Sequence, residues 1–146
     1  MLCDVVRGLR DTEVWAPPDG GRAFHKVRDL PVSVAVLGHD QFYRGYTLVI
    51  ARTHATELYD LADAERAQYL DDMVRMARAV AAVVKPRKMN YECLGNSVAH
   101  LHWHLFPRQA DDPLPKRPIW EHAHPPGELD EAEAAALIAA LRRHSG

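Results

Sequence analysis

Apolar positions along the chain follow two different periods. Val32–Leu37 and Tyr46–Ala51 are short, dense apolar runs, and the polar loop Gly38–Gly45 between them carries a glycine at each end. Two β-rich runs joined by such a loop predict an antiparallel hairpin. Upstream, Pro17, Pro18, Gly20, Gly21 and Pro31 punctuate residues 1–31, which predicts loops with short strands around Val14 and Phe24–Val27. From Leu61 to Val84 the step lengthens: Ala64, Ala67, Leu70, Val74, Ala77, Ala81 and Val84 recur every three or four residues. That spacing predicts a long amphipathic helix whose apolar face is this set. Asp60 or Asp63 is placed to cap it, and Pro86 stops it.

The period returns to that of strands at Met89–Leu94 and Val98–Phe106, separated by a turn at Gly95-Asn96-Ser97. Residues 107–128 hold six prolines and read as loop. A last helix is predicted from Asp130, with Glu133 at capping-box spacing and Ala134, Leu137, Ile138 and Leu141 as its apolar positions. The fold class is therefore α+β: an antiparallel sheet, one long helix and a C-terminal helix, in a single domain over residues 1–146.

Composition narrows the chemistry. With 47% hydrophobic and 26% charged residues the chain is ordinary globular material. A net charge of −2 gives no bulk attraction for nucleic acid or membrane surfaces, so any anionic ligand must be held by local groups. Cys3 and Cys93 stand alone, without a Cys-x-x-Cys partner, as suits a reducing compartment. No signal-like apolar start and no run long enough to span a bilayer is present, and a cytoplasmic protein is expected.

The chemistry concentrates in His100-Leu101-His102-Trp103-His104-Leu105-Phe106. On a strand, successive side chains alternate faces, so the three histidines project to one side while Leu101, Trp103 and Leu105 anchor the other. A solvated sheet face explains a single histidine, but not three in strict alternation on an otherwise apolar strand. A metal site and a histidine nucleophile assisted by its neighbours both remain open at this level.

With Gly95-Asn96-Ser97-Val98 before it, this run resembles the signature of the histidine triad (HIT) family. The resemblance extends over about residues 32–110, through Phe42–Ile50, His54, Glu57-Leu58, the long helix and Asn90. It implies that His102 is a nucleophile that attacks the α-phosphorus of a nucleotide and carries a covalent nucleotidyl group. His104 then contacts the phosphoryl oxygens and leaving group, His100 supports the arrangement, and Asn90, Asn96 and Ser97 surround the phosphate. No metal or other cofactor is required in that scheme, although a divalent metal can accompany a polyphosphate substrate. Trp103, with Phe106-Pro107-Arg108 after the third histidine, resembles the diadenosine polyphosphate hydrolase-like branch. Phosphoramidate hydrolases, nucleotidyl transferases and a binding or regulatory protein with little catalysis are the alternatives. The family also implies a homodimer, with Arg75 and Met76 as candidate surface residues.

Three departures qualify the resemblance. Gly38 stands where many members carry an Asp or Asn that binds the ribose, which passes that duty to Asp40 or to backbone groups. Tyr46 stands where many members carry a histidine. The structural zinc of some members uses an N-terminal Cys-x-x-Cys and two histidines, matching Cys3, Val6, His54 and His100 here. With Val6 in place of the second cysteine, no structural zinc is expected, and His54 is left as a loop histidine near the site or simply as an exposed one.

Overall fold

A computed structural model describes residues 1–146. The elements are α1 (Leu2–Gly8), β1 (Val14–Trp15), β2 (Phe24–Asp29), β3 (Ser33–Leu37), β4 (Thr47–Ala51), α2 (Asp63–Val84), β5 (Lys88–Glu92), β6 (His102–Arg108) and α3 (Glu131–His144), with single 3₁₀ turns at Leu58–Asp60 and Ile119–Glu121. The strands form one antiparallel sheet in the order β1-β2-β3-β4-β6-β5. The predicted hairpin is the β3–β4 pair, with Leu37 opposite Thr47. The last helix is capped as expected: the Asp130 carboxylate accepts from the Glu133 N–H at 2.8 Å, and the Glu133 carboxylate accepts from the Asp130 N–H at 3.2 Å.

Alternation along β3, β4 and β6 sorts their side chains onto two faces, each with its own core. One face sends Ala35, Val49, Leu105 and Leu101 against α2 and α3, where they join Tyr69, Met76, Val80, Leu137 and Leu141. The other sends Val34, Val36, Leu48 and Ile50 toward α1, which contributes Leu2, Val5 and Val6. Register puts His102 opposite Ile50 and His104 opposite Leu48, so both histidines share the α1 face. A proline-rich strap, residues 109–130, closes the far side of that face through Ile119.

Several predicted features are corrected. Residues 2–8 are helical, not loop; Leu2, Val5, Val6 and Leu9 have helical spacing, but over too short a stretch to stand out from the punctuated segment that follows. The long helix starts at Asp63 after Ala62, with no side-chain cap, because Asp60 caps the preceding 3₁₀ turn with Glu57. Its buried face is also different: Tyr69, Asp72, Met76, Ala79 and Val80 point inward, with Ala77, while Leu70 and Val74 are exposed. A carboxylate in the buried row hid it from the apolar pattern. Asp72, 1% exposed, accepts from Val32 N–H (3.1 Å), the Ser33 hydroxyl (2.7 Å) and the Gln68 amide (3.0 Å). Consequently Met76 is core and not an assembly surface, whereas Arg75 is exposed. The strand carrying the histidines begins at His102, not Val98, and runs through Pro107 to Arg108. Proline is tolerated there because β4 pairs only as far as Leu105, leaving β5 as the single neighbour.

Candidate active site

His102 is positioned from both sides of its own strand. Trp103 and Leu105 pack into the α2 face, with the Trp103 ring 6.4 Å from that of Tyr69, and so hold β6 against rotation. On the other face the His102 Nδ1 lies 2.6 Å from the His100 carbonyl oxygen. A carbonyl only accepts, so Nδ1 carries the proton and Nε2 keeps its lone pair. That is the tautomer a nucleophilic imidazole needs. His102 and His104 line a cleft of about 310 Å³ with Leu94, Asn96, Ser97 and Trp120.

The neighbouring ring is fixed the opposite way. Tyr46 Oη lies 2.7 Å from His104 Nδ1. Burial pushes the Tyr46 phenol well above its usual value, so it keeps its proton. Since His104 Nδ1 is its one side-chain partner, the phenol is satisfied as a donor when it donates to Nδ1. His104 then carries its own hydrogen on Nε2. Burial, followed by the adjacent His102, lowers the His104 pKa to about 4, which keeps the ring neutral at pH 7. The two rings sit 4.6 Å apart, edge to face, one with a bare nitrogen and one with an N–H donor.

Gly38 belongs to this arrangement. A Cβ at residue 38 would lie 2.2 Å from Cδ1 of the Tyr46 ring. Tyr46 in turn stacks on Phe106 at 4.0 Å between ring centroids. The two departures from the family pattern are thus sterically linked: the tyrosine occupies the volume that a side chain at 38 would need.

The predicted phosphate-side residues separate into groups. Asn96 and Ser97 lie exposed at the His102 cleft, on the irregular segment between β5 and β6. Asn90 lies opposite Phe106 on β5, and its Oδ1 accepts from the Arg108 guanidinium at 2.7 Å, so it lines a second cleft beyond His104. Asp40 is committed elsewhere: Oδ1 accepts from the N–H groups of Phe42 (3.0 Å) and Gly127 (2.8 Å), and Oδ2 meets His124 Nε2 at 2.9 Å. It ties the strap to the hairpin loop. Trp120 escaped the sequence reading. It is 54% exposed, meets His104 edge-on at 5.4 Å, and donates its Nε1–H to Glu92 at 2.5 Å. Only the apolar pair Ile119-Trp120 inside a proline-rich stretch hinted at an anchored segment.

His100 turns toward α1, away from the cleft. Its Nδ1 is 3.0 Å from Cys3 Sγ and 3.3 Å from His54 Nδ1, and Cys3 Sγ is 3.1 Å from His54 Nδ1. The His100 Nε2–H donates to the Ala51 carbonyl at 2.8 Å, which leaves Nδ1 as a lone pair inside the cluster. With the His100 lone pair, the Cys3 sulfur and the His54 Nδ1 all converging, one soft divalent cation could be met by all three atoms. The sequence expectation of no structural zinc rested on the missing second cysteine; the three remaining donors converge all the same.

Residues 23–111 match the family model described as HIT domain. The chain is 35% identical over 80 residues to the protein named hit of Bacillus subtilis, covering 51% of this chain and about half, 55%, of that one. It resembles the crystal structure of a histidine triad protein from Bradyrhizobium japonicum at 31% identity, over 84% of this chain and 91% of the other, with a TM-score of 0.77. A zinc-bound histidine triad family protein from Mycobacterium smegmatis is 26% identical over 97% of this chain and 92% of its own, with a TM-score of 0.67. No helix of the chain is long and apolar enough to cross a membrane. With residues 23–111 matched by the family model and the histidine run on one sheet face beside an open cleft, this chain belongs to the histidine triad (HIT) family.

Proposed function

We propose that the protein is a nucleotide hydrolase acting at the α-phosphate through a covalent nucleotidyl-His102 intermediate. The observation that carries this reading is the 2.6 Å contact from His102 Nδ1 to the His100 carbonyl, which frees Nε2 beside an open cleft. The Nε2 lone pair forms a bond to the α-phosphorus. The bond from phosphorus to the bridging oxygen breaks, and its electron pair leaves on that oxygen. Positive charge on the ring is held by the His100 carbonyl. The His104 Nε2–H, kept in place by Tyr46, donates to the phosphoryl or departing oxygen. Water then attacks phosphorus and releases a proton to solvent, and the P–N bond returns its electron pair to Nε2. Asn96 and Ser97 line the same cleft, and in this reading they face the phosphate. Dinucleoside polyphosphates are the substrate class we favour; phosphoramidates share the same α-phosphorus chemistry.

Cys3, His54 and His100 would hold a zinc ion, and its chemistry there is structural: it would clamp α1 and the His54 loop to His100. No step of the reaction runs through it.

His102→Asn tests the proposal. It is expected to abolish turnover while nucleotide binding stays within a few-fold. Wild-type protein quenched in base during turnover should carry a nucleotidyl adduct on the peptide containing His102. Substantial activity in the variant would overturn the nucleophile; a wild type that binds nucleotides without turnover would make the protein a binding module.

A further inference from the structure

The triad cleft does not end at His104. On the same sheet face, register continues the row from His104 opposite Glu92 to Phe106 opposite Asn90 and Arg108 opposite Lys88. Two such steps carry the row about 13 Å beyond His104. There a second cleft of about 340 Å³ opens between β5, β6 and the strap, lined by Lys88, Asn90, Glu92, Arg108, Lys116 and Arg117. Trp120 stands between the two clefts, beside His104 and bonded to Glu92.

The cleft is built rather than incidental. Buried Arg108 pairs with Asp112 and donates to Asn90 Oδ1 (2.7 Å) and to the carbonyl oxygens of Arg117 (3.0 Å) and Leu114 (2.5 Å). These bonds fold the strap back so that Lys116 and Arg117 face Lys88 from another part of the chain. Arg117 has Glu121 as an exposed partner; Lys88 donates to the Met89 carbonyl (2.9 Å) and its ammonium lies 5.7 Å from the centre of the Tyr91 ring, and neither it nor Lys116 pairs with a carboxylate. Asn90 spends its Oδ1 on Arg108 and leaves its amide N–H groups without a protein acceptor. Glu92, the carboxylate that would neutralise the lysines, is turned to the Trp120 indole. In a chain of net charge −2, a rigid floor thus gathers Lys88, Lys116 and Arg117 around one cleft, with Glu92 as the carboxylate in its lining.

We infer that this second cleft is the subsite for the leaving group, and that it takes an oligophosphate tail. The inference rests on the α-phosphate reading above. With the α-phosphorus at His102, the departing oxygen lies at His104, and the further phosphates run past Trp120 onto Lys88, Asn90, Lys116 and Arg117. The subsite selects nucleotides with several phosphates beyond the scissile bond over those with a short, uncharged leaving group.

Titration calorimetry of inorganic tripolyphosphate against the full chain tests the cleft without requiring catalysis. Wild-type and H102N proteins are expected to bind it equally, and K88Q/K116Q about tenfold more weakly, with affinity falling as salt rises. In turnover assays the double variant should raise the KM for a dinucleoside tetraphosphate about tenfold, and that for a nucleoside phosphoramidate less than twofold. Failure of wild-type protein to bind tripolyphosphate, undiminished binding by K88Q/K116Q, or an equal KM increase for both substrates would overturn the subsite. A wild type that hydrolyses neither substrate would refute the α-phosphate reading, while the tripolyphosphate titration would still decide whether the cleft binds oligophosphate.

Discussion

The Tyr46 hydroxyl donates to His104 Nδ1 across 2.7 Å, and this contact fixes which nitrogen of His104 faces the cleft. Without the phenolic donor the ring would exchange between tautomers, and in one of them it presents a lone pair to the substrate where an N–H is needed. Tyr46→Phe keeps the stack on Phe106 and removes only the hydrogen bond. We expect kcat to fall about tenfold, the equivalent of roughly 1.4 kcal/mol. Nitrogen NMR of His104 should show a mixture of tautomers in place of one. An unchanged kcat together with a single tautomer would dismiss the role.

Gly38 and Tyr46 should behave as a coupled pair. Gly38→Asp places a side chain where the Tyr46 ring lies, so the single variant must displace that ring and lose the His104 contact. Adding Tyr46→His removes the obstruction. The double variant is expected to recover at least about 1 kcal/mol of the stability that G38D loses, measured by denaturant unfolding in a double-mutant cycle. Additive effects would mean that the two sites are independent.

Burial of His104 makes stability depend on pH. Its pKa falls from the reference 6.5 in the unfolded chain to about 4 in the folded one, so between these values the unfolded state binds the extra proton. The contribution is fully present above about pH 6.5 and is lost as pH falls toward 4. It amounts to no more than about 3 kcal/mol. Unfolding midpoints for wild type should drop through this window, and His104→Gln should flatten that drop. Equal slopes for the two proteins would count against the shift.

The sheet, the hairpin and the histidine row were legible in sequence because each rests on local alternation or on one dense motif. What escaped depends on residues that are polar yet buried, or on partners far away in the chain. Asp72 is the clearest case: a carboxylate satisfied by Val32, Ser33 and Gln68 occupies the core row of α2, and so the apolar pattern pointed to a different face. The Cys3–His54–His100 cluster joins residues from three separate segments, and its geometry follows from α1 docking on the sheet, which no local pattern encodes. Asn90 lies on the predicted sheet face, but only the strap decides which cleft it lines.

The exposed side of α2 carries two apolar side chains. Leu70 and Val74 are 38% and 39% exposed, and Tyr91, on edge strand β5, is 45% exposed. Tyr91 shares the α2 face of the sheet, since it lies opposite Leu105. We propose that a second copy covers these three side chains in a twofold dimer, with Arg75 at its margin. L70E/V74E should convert a species of twice 16.4 kDa into one of 16.4 kDa in sedimentation at micromolar concentration. Wild-type protein sedimenting at the smaller mass would remove the dimer.

The cluster at Cys3 gives the last test. Three donor atoms within 3.3 Å of one another define three corners of a tetrahedron, and Val6, one turn along α1, offers no fourth. A zinc ion held there would leave one position to water or an added thiol, so binding should be weaker than at a closed four-ligand site. Because the ligands come from α1, the His54 loop and the segment just before β6, occupancy should stabilise the native chain over the unfolded one. Metal-stripped wild-type protein is expected to take up one equivalent of zinc, with a rise in Tm of several degrees. Cys3→Ala should lose both, and Val6→Cys should bind more tightly than wild type by at least tenfold. His102→Asn should bind zinc like wild type, since its ring faces the cleft and not the cluster. Should stripped protein take up no zinc at micromolar concentration, or should Cys3→Ala bind it as well as wild type, the convergence of these side chains serves packing alone.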